Sequence, residues 1–182
     1  MTIQNPGLRG SIYGVNPMQE HVESLATSSL HRFADWPNCA IPEVCAGVYA
    51  IYERSGKFIY IGMAGKKLTE EAIEEKQAAG KRSGLFDRLN SHASGYRSGD
   101  QFNIYISDLY VLRTLSKNDI AGISSGTKSF NALVKEFIRA ELSYRYVVVP
   151  NTVVKKLEEY IQAKGIKGEL PVINGRGQQS NE

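Results

Sequence analysis

Two tyrosines stand at the inner ends of a pair of tripeptides, Gly47-Val48-Tyr49 and Tyr60-Ile61-Gly62, with ten residues between them. A phenol has a pKa of about 10, so a tyrosine that works as a base near neutrality needs a cation or metal beside it. Arg88 and His92 are spaced i, i+4 and so share one face of a helix, from which both can reach a single phosphate. The planar guanidinium can grip a phosphate through two parallel N–H groups and stays charged at any working pH. The imidazole can give a proton to a leaving oxygen or orient a neighbour by hydrogen bonding. Each has a plainer alternative: strand tyrosines filling a half-buried face, a surface arginine, a satisfied structural histidine.

A carboxylate for a metal is sought at the edge of an apolar stripe, beside the core but open to a cleft. At about 100° per residue, Val153, Val154, Leu157 and Ile161 form one stripe. Glu158 falls at its edge and Glu159 nearly opposite, in solvent. Glu141 is a rival, projecting onto the apolar side of the preceding helix. A single carboxylate with water filling the other positions suits Mg2+ or Mn2+, which keep much of their hydration shell. Asn174 follows Pro171-Val172-Ile173 and carries an amide that can hydrogen-bond across a site, to a tyrosine or a phosphate. Lys66 is a candidate phosphate contact. Lys67 and Arg82 belong to the same basic stretch, which runs to Arg97 and is diluted by four glutamates between Glu70 and Glu75. A solvated helix face is the plainer account of that stretch.

These groups need elements to hold them. Met18 to Phe33 reads as a helix with a loose stripe of Val22, Leu25, Leu30 and Phe33, stopped by Asp35-Trp36-Pro37-Asn38. Gly47 to Glu53 and Phe58 to Gly62 read as strands joined at Arg54-Ser55-Gly56-Lys57, an antiparallel hairpin. Lys67 to Gly80 reads as an exposed helix, and Gly84 to His92 as a helix with Leu85 and Leu89 inward. Gln101 to Leu115 is ambiguous: Phe102, Ile104 and Ile106 alternate like a strand, while Phe102, Tyr105, Ile106 and Leu109 fit a helix. Ser129 to Leu142 reads as a helix and Tyr144 to Val149 as a strand ended by Pro150. A last helix, capped by Asn151 or Thr152, runs to Lys164. The residues from Gly175 read as a polar, disordered tail. The layout is α+β.

The bulk figures set bounds on function. The chain has 182 residues, enough for one domain or one domain with an N-terminal extension. An apolar fraction of 42% and a charged fraction of 23% are ordinary for a globular protein. No apolar run approaches the roughly 20 residues that span a bilayer, and Met1 to Gly10 lacks the apolar core of a secretion signal, so a cytoplasmic location is expected. The formal net charge of +3 permits a nucleic-acid partner without demanding one. Two cysteines, Cys39 and Cys45, are too few for a disulfide framework, and the histidine spacings do not suit zinc.

Taken in order, the motifs resemble those of the GIY-YIG nucleases. The two tripeptides match the family signature, with Val48 for the usual isoleucine. Arg88 with His92, Leu157-Glu158-Glu159-Tyr160-Ile161, and Pro171-Val172-Ile173-Asn174 resemble the features that follow it. The resemblance covers about Ala46 to Asn174. It departs from a minimal member in the twenty-five residues between Gly62 and Arg88, a helical insertion of the kind found in some restriction-type members. It implies a small three-stranded antiparallel sheet flanked by helices, with an arm and helix over 1–45, insertions at about 66–83 and 101–142, and a tail over 175–182. It also implies a metal-dependent endonuclease acting on double-stranded DNA. Tyr49 is then the base, Tyr60 its partner in orienting water or phosphate, Arg88 and His92 the phosphate-facing pair, Glu158 the ligand of one Mg2+ or Mn2+, and Asn174 the closing residue. A homodimer would suit a palindromic target. Two alternatives remain: a non-catalytic nucleic-acid-binding module on the same fold, and an interaction module that docks a partner on the N-terminal helix and the 101–142 insertion.

Overall fold

The computed structural model describes residues 16–174; the expected arm over the first residues and the expected tail from Gly175 lie outside them. Helix α1 spans Pro17–Thr27. The Asn16 side chain accepts from the Met18 amide at 3.0 Å, and Pro17 occupies the first turn, where its missing N–H is not needed. The helix stops short of the expected Phe33. The hydroxyls of Ser24, Thr27 and Ser28 turn back onto carbonyls of the last turns, which competes with continued helix. The chain then extends into β1 (His31–Arg32) and a single 3-10 turn over Phe33–Asp35. Leu30 is exposed, while Val22, Leu25 and Phe33 are buried.

Strand β2 (Val44–Cys45) leads into the expected hairpin, β3 (Gly47–Glu53) and β4 (Phe58–Ala64). Helix α2 (Glu70–Ala78) follows, and buries no residue. Strand β5 (Ser83–Gly84) then pairs in parallel with β2 and seats the start of α3 (Leu85–Ser94). The ambiguous stretch is helical: α4 (Gln101–Ile106) continues as a π turn over Ser107–Val111 and a 3-10 turn over Leu112–Thr114. Helices α5 (Lys117–Ser124) and α6 (Phe130–Glu141) precede strand β6 (Leu142–Val148) and helix α7 (Asn151–Lys164). Neither Asn151 nor Thr152 caps α7. Pro150 holds the cap position without a side-chain bond.

The fold is α+β, but the sheet has four strands rather than three. Its order is β1-β6-β3-β4, antiparallel throughout, with the fourth strand contributed by residues read from the sequence as helix. Alternation along β3 sends Tyr49 and Ile51 to one face and Val48 and Ala50 to the other. Helices α3, α4 and α6 cover the Tyr49 face, with Leu89, Phe102 and Ile138 fully buried. Helices α1 and α7 cover the opposite face through Val22, Leu25, Val154, Leu157 and Ile161. Helix α1 is thus part of the packed body, and the 101–142 segment contributes Phe102, Ile106, Val134 and Ile138 to one of its two cores. Among the described residues, no helix is long and apolar enough to cross a membrane.

Candidate active site

The hairpin register brings the two tyrosines together. Tyr49 lies opposite Gly62 and Ile51 opposite Tyr60, so the tyrosines are diagonal neighbours on one face, with ring centroids 6.3 Å apart. Tyr49 is 1% exposed and Tyr60 half-buried. A side chain at Gly62 would strike the Tyr49 hydroxyl and the Tyr60 ring. Only glycine lets the phenol lie across the neighbouring strand. Gly47 is equally constrained, since a Cβ there would meet Leu85 and the Val147 carbonyl.

Helix α3 brings Arg88 and His92 to this face. Its N-terminus is fixed by the β2–β5 pair, and Gly84, at φ +80°, crosses Cys45 where no side chain fits. His92 is buried beneath Tyr49. Its Nε2 lies 2.7 Å from the Tyr49 hydroxyl, and its Nδ1 lies 2.7 Å from Oδ2 of Asp100. An ionised Asp100 can only accept, so Nδ1 carries the proton and Nε2 accepts from Tyr49. Both ring nitrogens are therefore committed within the protein. Of the two roles open to it, proton donor or hydrogen-bonding orienter, the geometry matches the second: His92 is buried behind Tyr49 instead of facing outward beside Arg88. Arg88, one turn earlier, is exposed and forms no ion pair among the described residues.

Glu158 reaches the site from the other face of the sheet. Helix α7 packs under β3 and β4 with Leu157 and Ile161 buried, and Glu158 sits half-buried at the stripe edge, as the wheel places it. Its carboxylate lies against the Met63 amide on the free edge of β4. Burial, then the neighbouring Glu159, pushes its pKa up to about 7, while Arg88 and the Met63 amide pull it down. Tyr49 and Tyr60 both feel the Glu158 charge. The rival Glu141 lies elsewhere, 4.0 Å from Arg54 on the wall of a cavity of about 640 Å³ that none of the site residues lines.

Burial dominates the titration of the other groups. It holds the Tyr49 pKa well above the ordinary phenol value, reinforced by Tyr60 and opposed by Arg88, and it lifts Tyr60 to about 12. It lowers the His92 pKa against the pull of Asp100, so the imidazole is neutral. Burial works against an ionised Asp100, but the bond from His92 and the Asn103 amide outweigh it and hold the carboxyl below its usual range.

Asn174 closes the site differently from its expected role. Its Oδ1 accepts from the Ile61 amide at 2.8 Å, and its Nδ2 donates to the Ile61 carbonyl at 2.7 Å. The amide grips the strand between Tyr60 and Gly62, and both of its hydrogen bonds within the described residues go to Ile61 rather than to a tyrosine. Lys66 and Lys67 line a cleft of about 400 Å³ together with Lys76 and Arg88, and no acidic residue lines it. Arg82 points elsewhere: its Nε lies 3.3 Å from Glu43, and its guanidinium stacks 4.3 Å from the centre of the Phe86 ring.

Asp100 is the one polar group at this centre that the motifs did not single out. The signal available was an aspartate just before a helix, the mark of an N-cap. Its Oδ1 does cap α4, accepting from the Phe102 and Asn103 amides. Its reach to His92 depends on how the loop from Gly95 folds back. Among the described residues, no group of three or more His, Cys, Asp or Glu stands ready for a metal. The donor set is one carboxylate with phenols nearby, which fits a largely hydrated Mg2+ or Mn2+ and not zinc. No protein-family model, no curated protein and no solved structure matches the chain.

Proposed function

We propose that the protein is a metal-dependent endonuclease of the GIY-YIG type that hydrolyses phosphodiester bonds of double-stranded DNA in the cytoplasm. The observation that carries this reading is convergence. Tyr49, Tyr60, Arg88 and Glu158 come from four elements spread over the chain, yet share one electrostatic neighbourhood at the end of the β3–β4 hairpin. The cationic cleft that contains Arg88 opens directly beside it.

Each group has a task in phosphoryl chemistry. Arg88, exposed and in no ion pair among the described residues, can clamp the scissile phosphate and offset the charge that grows on its oxygens. Tyr49 stays neutral at working pH, so it accepts a proton from water only as it passes its own to Nε2 of His92. Tyr60, open on one side, orients the water or a phosphate oxygen. Glu158 would hold one Mg2+ or Mn2+, which when bound supplies Lewis-acid stabilisation of the phosphate.

Purified protein incubated with supercoiled plasmid and Mn2+ or Mg2+ should nick or linearise it. Glu158→Ala and Arg88→Ala should each lower the rate by about 100-fold or more. Full activity in both variants would remove this site from the chemistry. Salt-sensitive DNA binding with no cleavage under any divalent ion would point instead to a binding module on the same fold.

A further inference from the structure

Asp100 is buried to 1% exposure, as is His92, and a buried carboxylate is costly unless its oxygens are satisfied. Both of its oxygens are. Oδ1 takes the two amides at the start of α4, and Oδ2 takes His92 Nδ1. We propose that Asp100 is a positioning residue for catalysis: it locks His92 in the tautomer whose Nε2 receives the Tyr49 proton, and it stabilises the imidazolium that results. The proposal rests on the nuclease reading and deepens it. The role of the 101–142 insertion changes accordingly. Its first helix is held by the same carboxylate that orients the base, so the insertion is anchored to the reaction centre.

The step balances as follows. Water loses a proton to the Tyr49 oxygen as its own oxygen forms the new bond to phosphorus. The Tyr49 proton passes to His92 Nε2, which lies 2.7 Å from the phenol oxygen. The bond from phosphorus to the leaving oxygen breaks, and that oxygen departs with the electron pair and takes a proton from solvent. The imidazolium later returns its proton through Tyr49. The charge on His92 during this step lies in a shell of few formal charges. Tyr49 faces it from β3, the Tyr60 ring edge from β4 at 6.1 Å, and Phe102 from α4 at 4.5 Å. Arg88 on its own helix disfavours the imidazolium, and Asp100 is the one anion bonded to it. In the Ser-His-Asp triads an ionised aspartate behind the histidine does the same for a proton taken from a hydroxyl: it fixes the ring and stabilises its cation.

A purely structural role, capping α4, predicts something different, and Asp100→Asn separates the two. Asparagine caps as well as aspartate, so the fold and the α4 start should persist. The neutral amide can offer its N–H to Nδ1, which drives the proton to Nε2 and turns that nitrogen from acceptor to donor against Tyr49. We expect kcat to fall by about 100-fold or more with KM little changed. Nitrogen-15 NMR should find the His92 proton on Nδ1 in the wild type and on Nε2 in Asp100→Asn. In a His92→Ala background, Asp100→Asn should cause no further loss. Should Asp100→Asn unfold, Asp100→Ser, which also caps, serves in the same measurements, with the Nδ1 preference lost. An unchanged tautomer, an unchanged kcat in a folded variant, or losses that multiply in the double variant would overturn the proposal. A tautomer shift in a protein that cleaves nothing with any divalent ion would leave Asp100 holding His92 and remove the nuclease reading.

Discussion

The Tyr49 hydroxyl crosses its neighbouring strand only because position 62 has no side chain. Gly62→Ala would place a methyl group where the phenol oxygen lies, and Tyr49 is too tightly enclosed to yield freely. Overpacking of this kind costs about 1–3 kcal/mol. The variant should show that loss in denaturant unfolding and a larger loss of cleavage, since the Tyr49–His92 bond must stretch. Glu158 carries a different tension. Its pKa is raised from the usual carboxylate value to about 7. A raised folded-state value means that folding favours the protonated carboxyl. Its contribution is therefore fully present below the unfolded value, near 4.5, and is lost as pH rises through about 7. Glutamine mimics the protonated form at every pH. In metal-free protein, Glu158→Gln should match the wild type at pH 4 and be more stable at pH 8, by about 1–2 kcal/mol after allowance for partial exposure. A thermal melt series across that range reads the difference directly. A variant that is more stable yet inactive would mark Glu158 as a group retained for function against stability.

At the scale of elements, the weak point of this sheet is the outer edge of β4, which leaves a row of backbone groups unpaired. The chain closes it from its far end. Ile173 donates to the Ile59 carbonyl, Asn174 takes both groups of Ile61, and the Glu158 carboxylate meets the Met63 amide. The edge that Glu158 adjoins is thus also bonded by Asn174, next to Tyr60. Asn174→Ala should cost about 1–3 kcal/mol and speed hydrogen exchange at the Ile61 amide, while amides of β6 remain protected. Equal protection at Ile61 would show that the side-chain pair contributes nothing to the edge. The legibility of these elements followed from how local their causes are. The hairpin could be read from Val48, Tyr49, Ile51 and Gly56, and α7 from its stripe, because alternation and helical spacing are properties of adjacent residues. Residues 28–33 could not, because hydroxyls that compete for carbonyls ended α1 and a distant strand, β6, then recruited His31 and Arg32. Gln101 to Leu115 fitted two periods at once, and the decision lay with the Asp100 cap and with the core that buries Phe102 and Ile106. The placement of Arg88 on an exposed helix face and of Glu158 at a stripe edge followed from helical spacing alone. That His92 stands behind Tyr49, and that Asp100 stands behind His92, depends on three segments meeting in space.

Across the whole molecule, charge is sorted more sharply than a net value of +3 conveys. Lys66, Lys67, Lys76 and Arg88 line one cleft, with no acid among its lining residues. A cavity of about 640 Å³ carries Glu53, Asp119, Glu136 and Glu141 with Arg54 as the one cation in its lining. A polyanion drawn to this molecule would therefore be steered to the first region and repelled by the second. The lysines of the cleft and Arg82 differ in one respect. Lys66 and Lys67 form no ion pair among the described residues, whereas Arg82 already faces Glu43. A cation that is free before binding releases a counterion from the DNA when it meets a phosphate, and each such contact adds about 0.9 to the slope of log K against log salt. A cation already matched by a carboxylate adds less, since it must give up that partner first. Replacing Lys66 and Lys67 with alanine should lower the slope by about 2 and weaken binding evenly across DNA sequences. Arg82→Ala should change the slope by less than either lysine does. Binding isotherms at four or five salt concentrations, on any duplex of about 20 base pairs that spans the cleft, decide between these outcomes. A larger effect at Arg82 than at the lysines would move the DNA track off the cleft and onto the outer face of α3, away from the Tyr49–His92 pair.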